Sequence, residues 1–150
     1  MNFLYYLLPK EKVAYINENS TLRQAMEKME YHRYTGVPII DKEGKYIGVL
    51  REGDILWFIK NRKEFDLEHA EKIYIKDIPR KKDHNKVTVT ASFEDLIKLA
   101  IEQNFVPVVD DRNTFIGIVT RKTIIAHLAN KNGEKIEWWN LANTNIHVLT

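Results

Sequence analysis

Short apolar runs separated by polar turns fill this chain, and two spacings alternate along it. Val13 to Ile16 is a β-prone run. Behind it, Ser20 or Thr21 can cap a helix whose apolar positions Leu22, Ala25, Met26 and Met29 recur at helical intervals. Val37 to Ile40 and Tyr46 to Leu50 return to strand character and predict a hairpin around the turn Asp41-Lys42-Glu43-Gly44. A second helix is predicted to begin near Glu52 to Asp54 and to run through Ile55, Leu56 and Ile59.

The same order then returns. Val87 to Thr90 is the strand, Phe93, Leu96, Ile97, Ala100 and Ile101 form the helix stripe, and Val106 to Val109 with Phe115 to Val119 form a hairpin around Asp111-Arg112-Asn113. Gly36-Val37-Pro38-Ile39-Ile40-Asp41 matches Phe105-Val106-Pro107-Val108-Val109-Asp110, so Pro38 and Pro107 lie 69 positions apart. Gly48 and Gly117 keep that offset, as do Ile55 and Ile124. Thr21 and Ser92 differ by 71, so the second copy is two residues shorter between its first helix and its hairpin, a change loops tolerate cheaply.

The predicted fold class is α+β (α/β-like): two β-α-β-β-α units packed about a pseudo-twofold axis, with small sheets flanked by helices and clefts between the halves. The boundaries read as 1–60 for the first unit, 61–72 for a polar, partly helical linker, 73–130 for the second unit, and 131–150 for a tail. A repeat kept only for folding is the plainer alternative.

At 150 residues the chain can bury roughly 70% of its unfolded surface without staples. Twenty-three basic against 21 acidic residues leave a net charge of +2, too balanced for a general nucleic-acid binder, so any basic site must be local. No cysteine is present, which excludes disulfides, thiol nucleophiles and zinc-thiolate sites and fits a reducing compartment. The opening MNFLYYLLPKEK lacks the basic lead and cleavage site of a signal peptide, and no run of about 20 apolar residues predicts a membrane span. A cytoplasmic location is expected. Asn19-Ser20-Thr21 is a formal glycosylation sequon that reads better as a helix start.

Gly-Val-Pro-Ile-Ile-Asp, then Gly-Val-Leu-x-x-x-Asp, with a degenerate second copy, resembles a tandem pair of CBS domains over about Leu4 to Asn130. Lys12-Val13-Ala14-Tyr15, Tyr34-Thr35-Gly36-Val37-Pro38, Asp77-Ile78-Pro79-Arg80 and Thr120-Arg121-Lys122 are similar to the small stand-alone bacterial CBS-pair receptors for cyclic di-AMP. That resemblance implies a nucleotide cleft at Lys12, Ala14, Tyr34, Thr35, Gly36, Thr120, Arg121 and Lys122, with Tyr15, Val37 and Pro38 beside them. Lys122 stands where the family commonly has a second arginine, which weakens bidentate contact but keeps the charge. The tail has no counterpart in the resemblance.

CBS pairs generally carry Gly-x-x-Ser/Thr-x-x-Asp at the strand-to-helix turn, the hydroxyl for a phosphate and the carboxylate for a ribose diol. This chain splits the pair: Thr120 keeps the hydroxyl but Thr123 replaces the acid, while Arg51 replaces the hydroxyl and Asp54 is retained. A 3′,5′-cyclic dinucleotide has no free 2′,3′-diol, so the acid-free turn suits it. A helix N-terminus favours an anion, Arg121 can clasp a phosphate with two hydrogen bonds, and Lys122 adds charge. Arg121-Lys122 also reads as a plain solvated helix start, and Tyr34 as core packing rather than base stacking. A second cleft would hold Arg51, Asp54, Ile78, Pro79, Phe105, Val106 and Pro107, in which Asp54 is either a ribose ligand or a helix cap.

The five histidines lack metal-ligand spacing, and no nucleophile is paired with a base, so neither a metal site nor catalysis is expected. Arg80-Lys81-Lys82 reads as a solvated run that could attract an acidic partner, and Trp138-Trp139 in the tail as packing at an apolar seam. The leading expectation is a non-catalytic, homodimeric cyclic di-AMP sensor that needs no cofactor and regulates a partner protein, without nucleic acid or membrane. An AMP, ADP or ATP sensor and an interaction module with vestigial clefts are the alternatives.

Overall fold

In a computed structural model, residues 2–133 are described; Trp138-Trp139 and most of the tail lie outside them. The first copy runs β2 (Ile16–Asn17), α1 (Leu22–His32), β3 (Gly36–Ile40), β4 (Tyr46–Arg51) and α2 (Glu52–Lys60), after an opening strand β1 (Leu8–Pro9). A short helix α3 (Leu67–Ala70) punctuates the linker, and the second copy follows as β5 (Val87–Thr88), α4 (Phe93–Ala100), β6 (Phe105–Val109), β7 (Phe115–Thr120) and α5 (Arg121–Lys131).

Local chemistry sets the helix starts. Thr21, not Ser20, caps α1: its hydroxyl accepts from Gln24 N, and the Gln24 side chain accepts from Thr21 N. Ser92 and Asp95 make the same reciprocal pair at α4, the capping-box arrangement that satisfies two otherwise unpaired donors. On α1 the predicted stripe turns inward, with Leu22, Ala25 and Met29 buried. Elsewhere the stripes split: Leu56, Ile101 and Ile125 are 55%, 77% and 55% exposed, and α4 ends one residue before Ile101.

The repeat survives as hydrogen bonds. In each hairpin turn one aspartate oxygen collects two backbone donors: Asp41 takes Glu43 N and Lys45 N, and Asp110 takes Arg112 N and Thr114 N. These anchor β3 to β4 and β6 to β7 in matched registers, Pro38 opposite Val49 and Pro107 opposite Ile118. Both hairpins shift register at equivalent steps, after Ile39 and after Val108. The two turns then join: Tyr46 N donates to Asn113 O at 3.0 Å and Phe115 N to Gly44 O at 2.9 Å. Each bond becomes the other when the copies are exchanged, which is the mark of the pseudo-twofold axis.

The halves also trade segments. β1 pairs antiparallel with β7, Leu8 opposite Ile118 and Pro9 opposite Gly117, so one sheet has the order β1-β7-β6-β5 and the other β2-β3-β4. Phe3 and Tyr6, on a 3₁₀ turn ahead of β1, are buried in the core of the second copy with Leu96 and Val106. In return, Phe105, Phe115 and Ile118 join the core built on Leu22, Val37 and Leu50. Burying an aromatic or aliphatic side chain is worth roughly 1.5–3 kcal/mol, so each half is stabilised by residues of the other. The β-prone run at Val13 is shorter than expected: Val13 N closes a 3₁₀ turn on Lys10 O, and pairing with β3 begins only at Ile16.

Candidate functional site

The segment that enters the first copy carries the cationic candidates. Lys10–Lys12 form a 3₁₀ turn lying against β7, the strand that ends in Thr120. Lys12 is exposed, and it lines a depression of about 380 Å³ with Ala14, Tyr15, Lys28 and His32. Lys28 reaches in from α1, its ammonium donating to Tyr15 O at 2.8 Å and lying 5.9 Å from the Tyr15 ring centre. Lys10 covers the same ring at 5.0 Å. Tyr15 is therefore held among cations, which its electron-rich face attracts.

Tyr34 touches this region through Ala14 and His32 without lining the depression. It is 5% exposed, its ring stacks on His32 at 5.1 Å, and Ala14 N donates to its hydroxyl at 3.4 Å. Burial pushes the phenol upward and the imidazole of His32 downward, the latter helped by the Lys28 charge. Thr35 is exposed, and its carbonyl accepts from Glu52 N. Gly36 sits opposite Arg51, where an added Cβ would meet Val49 Cγ1 at 3.1 Å. Val37 and Pro38 are buried in β3.

At the end of β7, Thr120 caps α5. Its hydroxyl accepts from Thr123 N at 3.2 Å and pairs with the Thr123 hydroxyl at 2.8 Å, so it is committed to its own helix. Arg121 N donates to Asn104 O, the second-copy equivalent of the Glu52–Thr35 bond. The Arg121 side chain donates from Nε to Ala100 O at 2.6 Å, placing its cation at the carboxyl end of α4, where the helix dipole welcomes it. Lys122 is exposed beside it. The walls of the Lys12 depression do not include Thr120, Arg121 or Lys122. The fold thus sets the Lys12 turn against β7 and Arg121 just past the end of that strand, and holds each by its own local contacts.

The second cleft is more fully engaged within the chain. Asp54 accepts from Arg51 N, serving at the third position of α2 rather than as its cap. Arg51 donates from Nη2 to Lys82 O at 2.5 Å. Ile78, Phe105 and Val106 are at most 2% exposed and belong to the cores, with Pro107 buried beside them. Pro79 is exposed and shares with Asp54 a hollow of about 560 Å³, walled also by Trp57, Arg62, Arg80 and Lys81.

Four residues of consequence were not singled out as site residues from the sequence. Lys28 and His32 are indistinguishable there from any polar helix face. Asp83 and His84 sit in an irregular segment, and only the Arg80-x-x-Asp83 spacing hints at their pairing. Asp83 accepts from Arg80 Nε at 2.8 Å and from Val49 N at 3.0 Å. His84 Nε2 donates to Asn104 Oδ1 at 2.9 Å, and its ring lies against the Phe105 ring. Burial lowers the His84 imidazole, and the nearby Arg51 and Arg121 cations lower it further.

Among the described residues no helix is long and apolar enough to cross a membrane. Compared with known proteins, the chain is 27% identical over 150 aligned residues to an uncharacterised protein of Methanocaldococcus jannaschii, covering 79% of this chain and 87% of that one. It is 24% identical to cyclic di-AMP receptor B of Bacillus subtilis strain 168, over 82% of this chain and 83% of that receptor. The solved structure of CbpB in complex with c-di-AMP superposes with a TM-score of 0.75 at 25% identity, covering 87% of this chain and 85% of that one. The family model described as CBS domain matches twice, at residues 7–61 and 75–130. With two such matches laid on a doubled β-α-β-β-α frame, this chain belongs to the CBS-domain family as a CBS pair.

Proposed function

We propose that this chain is a non-catalytic adenine-nucleotide sensor: a cyclic di-AMP receptor that regulates a partner protein according to whether the ligand is bound. The observation that carries this reading is the contact of the Lys12 turn, from the first copy, with β7 of the second, whose far end leads into Thr120 and Arg121. Two separated phosphates need two separated cations. Lys12 with Lys28 serves one, and Arg121 with Lys122 the other. The likeness to cyclic di-AMP receptor B and to CbpB supports the same ligand.

Tyr15, Tyr34, Thr35 and Gly36 provide the apolar and backbone surface for an adenine, with Ala14, Val37 and Pro38 shaping it. Arg121 must exchange its bond to Ala100 O for one to phosphate, which ties ligand binding to the end of α4. That exchange is the candidate two-state element of the sensor, since a ligand shifts a protein only through contacts that differ between states. A homodimer is supported by the apolar residues that α2 and α5 turn outward: Leu56, Trp57 and Ile125 are 55%, 58% and 55% exposed. The location proposed is cytoplasmic, and neither cofactor nor metal takes part.

Calorimetric titration with cyclic di-AMP, AMP, ADP and ATP tests the reading. Preferential binding of the cyclic compound supports it; no heat with it but micromolar binding of a mononucleotide transfers the role to an adenylate sensor. That second reading draws on Asp54, which retains the family's ribose-binding acid beside Arg80 and Lys81.

A further inference from the structure

The repeat gives the two entrance segments a common numbering. Ile16 pairs with Ile39 as Val87 pairs with Val108, so the 71-residue offset makes Lys12 and Asp83 equivalents. The sequence equivalent of a cation in one entrance segment is therefore a carboxylate in the other.

Asp83 is firmly seated. One oxygen accepts from Val49 N at 3.0 Å and Arg80 Nε at 2.8 Å, and the other from Arg80 Nη2 at 3.3 Å. The carboxylate lies directly over Gly48, where a Cβ would come within 2.2 Å of Oδ1. A backbone amide and a two-pronged guanidinium are the donors that a phosphate would take. The neighbouring Arg51 guanidinium is occupied by Lys82 O. In the first cleft the glycine equivalent to Gly48 is Gly117, and it is covered by the uncharged Leu8 carbonyl instead.

We infer that Asp83 is a specificity residue, an anion built into the chain that occupies the phosphate donors of the second cleft and keeps mononucleotides out of it. The inference extends the proposed receptor role by making one cleft ligand-accepting and the other closed by a carboxylate of its own chain. The chain then takes one ligand, not two. Once the carboxylate is neutral, Arg80 and Val49 N are released for a phosphate and Asp54 remains for a ribose diol, so the ligand admitted is AMP.

The test is calorimetry and equilibrium dialysis of the full chain with AMP and, separately, cyclic di-AMP, comparing wild type with Asp83→Asn and Asp83→Ala. Thermal unfolding is recorded alongside. The expected result is a gain of one AMP site per chain, at least tenfold tighter than any AMP binding by wild type, with cyclic di-AMP stoichiometry unchanged at one. Asp83→Asn keeps the shape and an acceptor for Val49 N, and Asp83→Ala serves should the amide retain Arg80. Two folded variants that bind no more AMP than wild type overturn the inference, as does a wild type that already takes two ligands. Wild type that ignores cyclic di-AMP while Asp83→Asn gains AMP upholds Asp83 and removes the receptor reading. One cyclic di-AMP bound with no response to Asp83 does the reverse.

Discussion

Lys12 and Asp83 occupy matching places in the two copies, each four residues ahead of the strand, at Ile16 and at Val87, that pairs in parallel with its own hairpin. One is exposed on a 3₁₀ turn, and the other is drawn down onto Gly48 by Arg80 and Val49 N. A duplicated frame has thus been given opposite charges at one point, and the clefts differ accordingly.

The two equivalent glycines differ in what covers them, which predicts unequal costs. A Cβ at Gly117 would lie 2.3 Å from Leu8 O, part of the β1–β7 ladder, and the residue has φ +154°. At Gly48 the three nearest atoms a Cβ would meet all belong to the Asp83 side chain. That side chain moves at the cost of its bonds to Val49 N and Arg80 but without breaking a strand ladder. Gly117→Ala is expected to destabilise by about 1–3 kcal/mol, and Gly48→Ala by less. Urea unfolding measures both; equal costs would contradict the assignment of backbone against side chain.

Phe3 is 1% exposed in the second copy's core although it precedes the first copy. Phe3→Ala should cost about 3–5 kcal/mol, the usual loss for a buried phenylalanine. A cost under 1 kcal/mol in the same unfolding assay would mean that the opening segment is dispensable.

His84 predicts an acid dependence. Its folded pKa lies below the ordinary value, mainly through burial, so the unfolded chain takes up the proton first as pH falls. Its contribution is intact above the unfolded value of about 6.5 and is lost as pH drops through that value toward the lower folded one. Melting temperature should fall between pH 7.5 and 5, and His84→Gln should flatten part of the slope. His32 and His127 are shifted in the same direction, so some slope remains. A slope unchanged by His84→Gln would place the effect elsewhere.

The repeat was legible because it is written in local chemistry. Glycine and proline positions, turn aspartates and helix caps recur at fixed offsets, and each makes its bonds within a few residues. Strand register followed from them, as Gly36 opposite Arg51 and Phe105 opposite Thr120 illustrate. The exchange of Leu8–Pro9 onto β7 was not legible: two residues carry no period, and their partners lie more than 100 positions away. Nor did the pattern tell which apolar helix residues face outward, since Ile55 and Leu56 look alike in sequence but are 8% and 55% exposed. At the site, the family resemblance pointed to Lys12, and the cations at a helix start pointed to Arg121. The pairing of Arg121 with Ala100 O and the closing of the second cleft by Asp83 depend on the packed structure.

The most direct measurement is the affinity of wild type, Lys12→Ala and Arg121→Ala for cyclic di-AMP by calorimetry. A site spanning both copies predicts one ligand per chain and at least a tenfold loss in each variant, equivalent to about 1.4 kcal/mol or more. Full affinity in either variant, or no binding by the wild type, would contradict it.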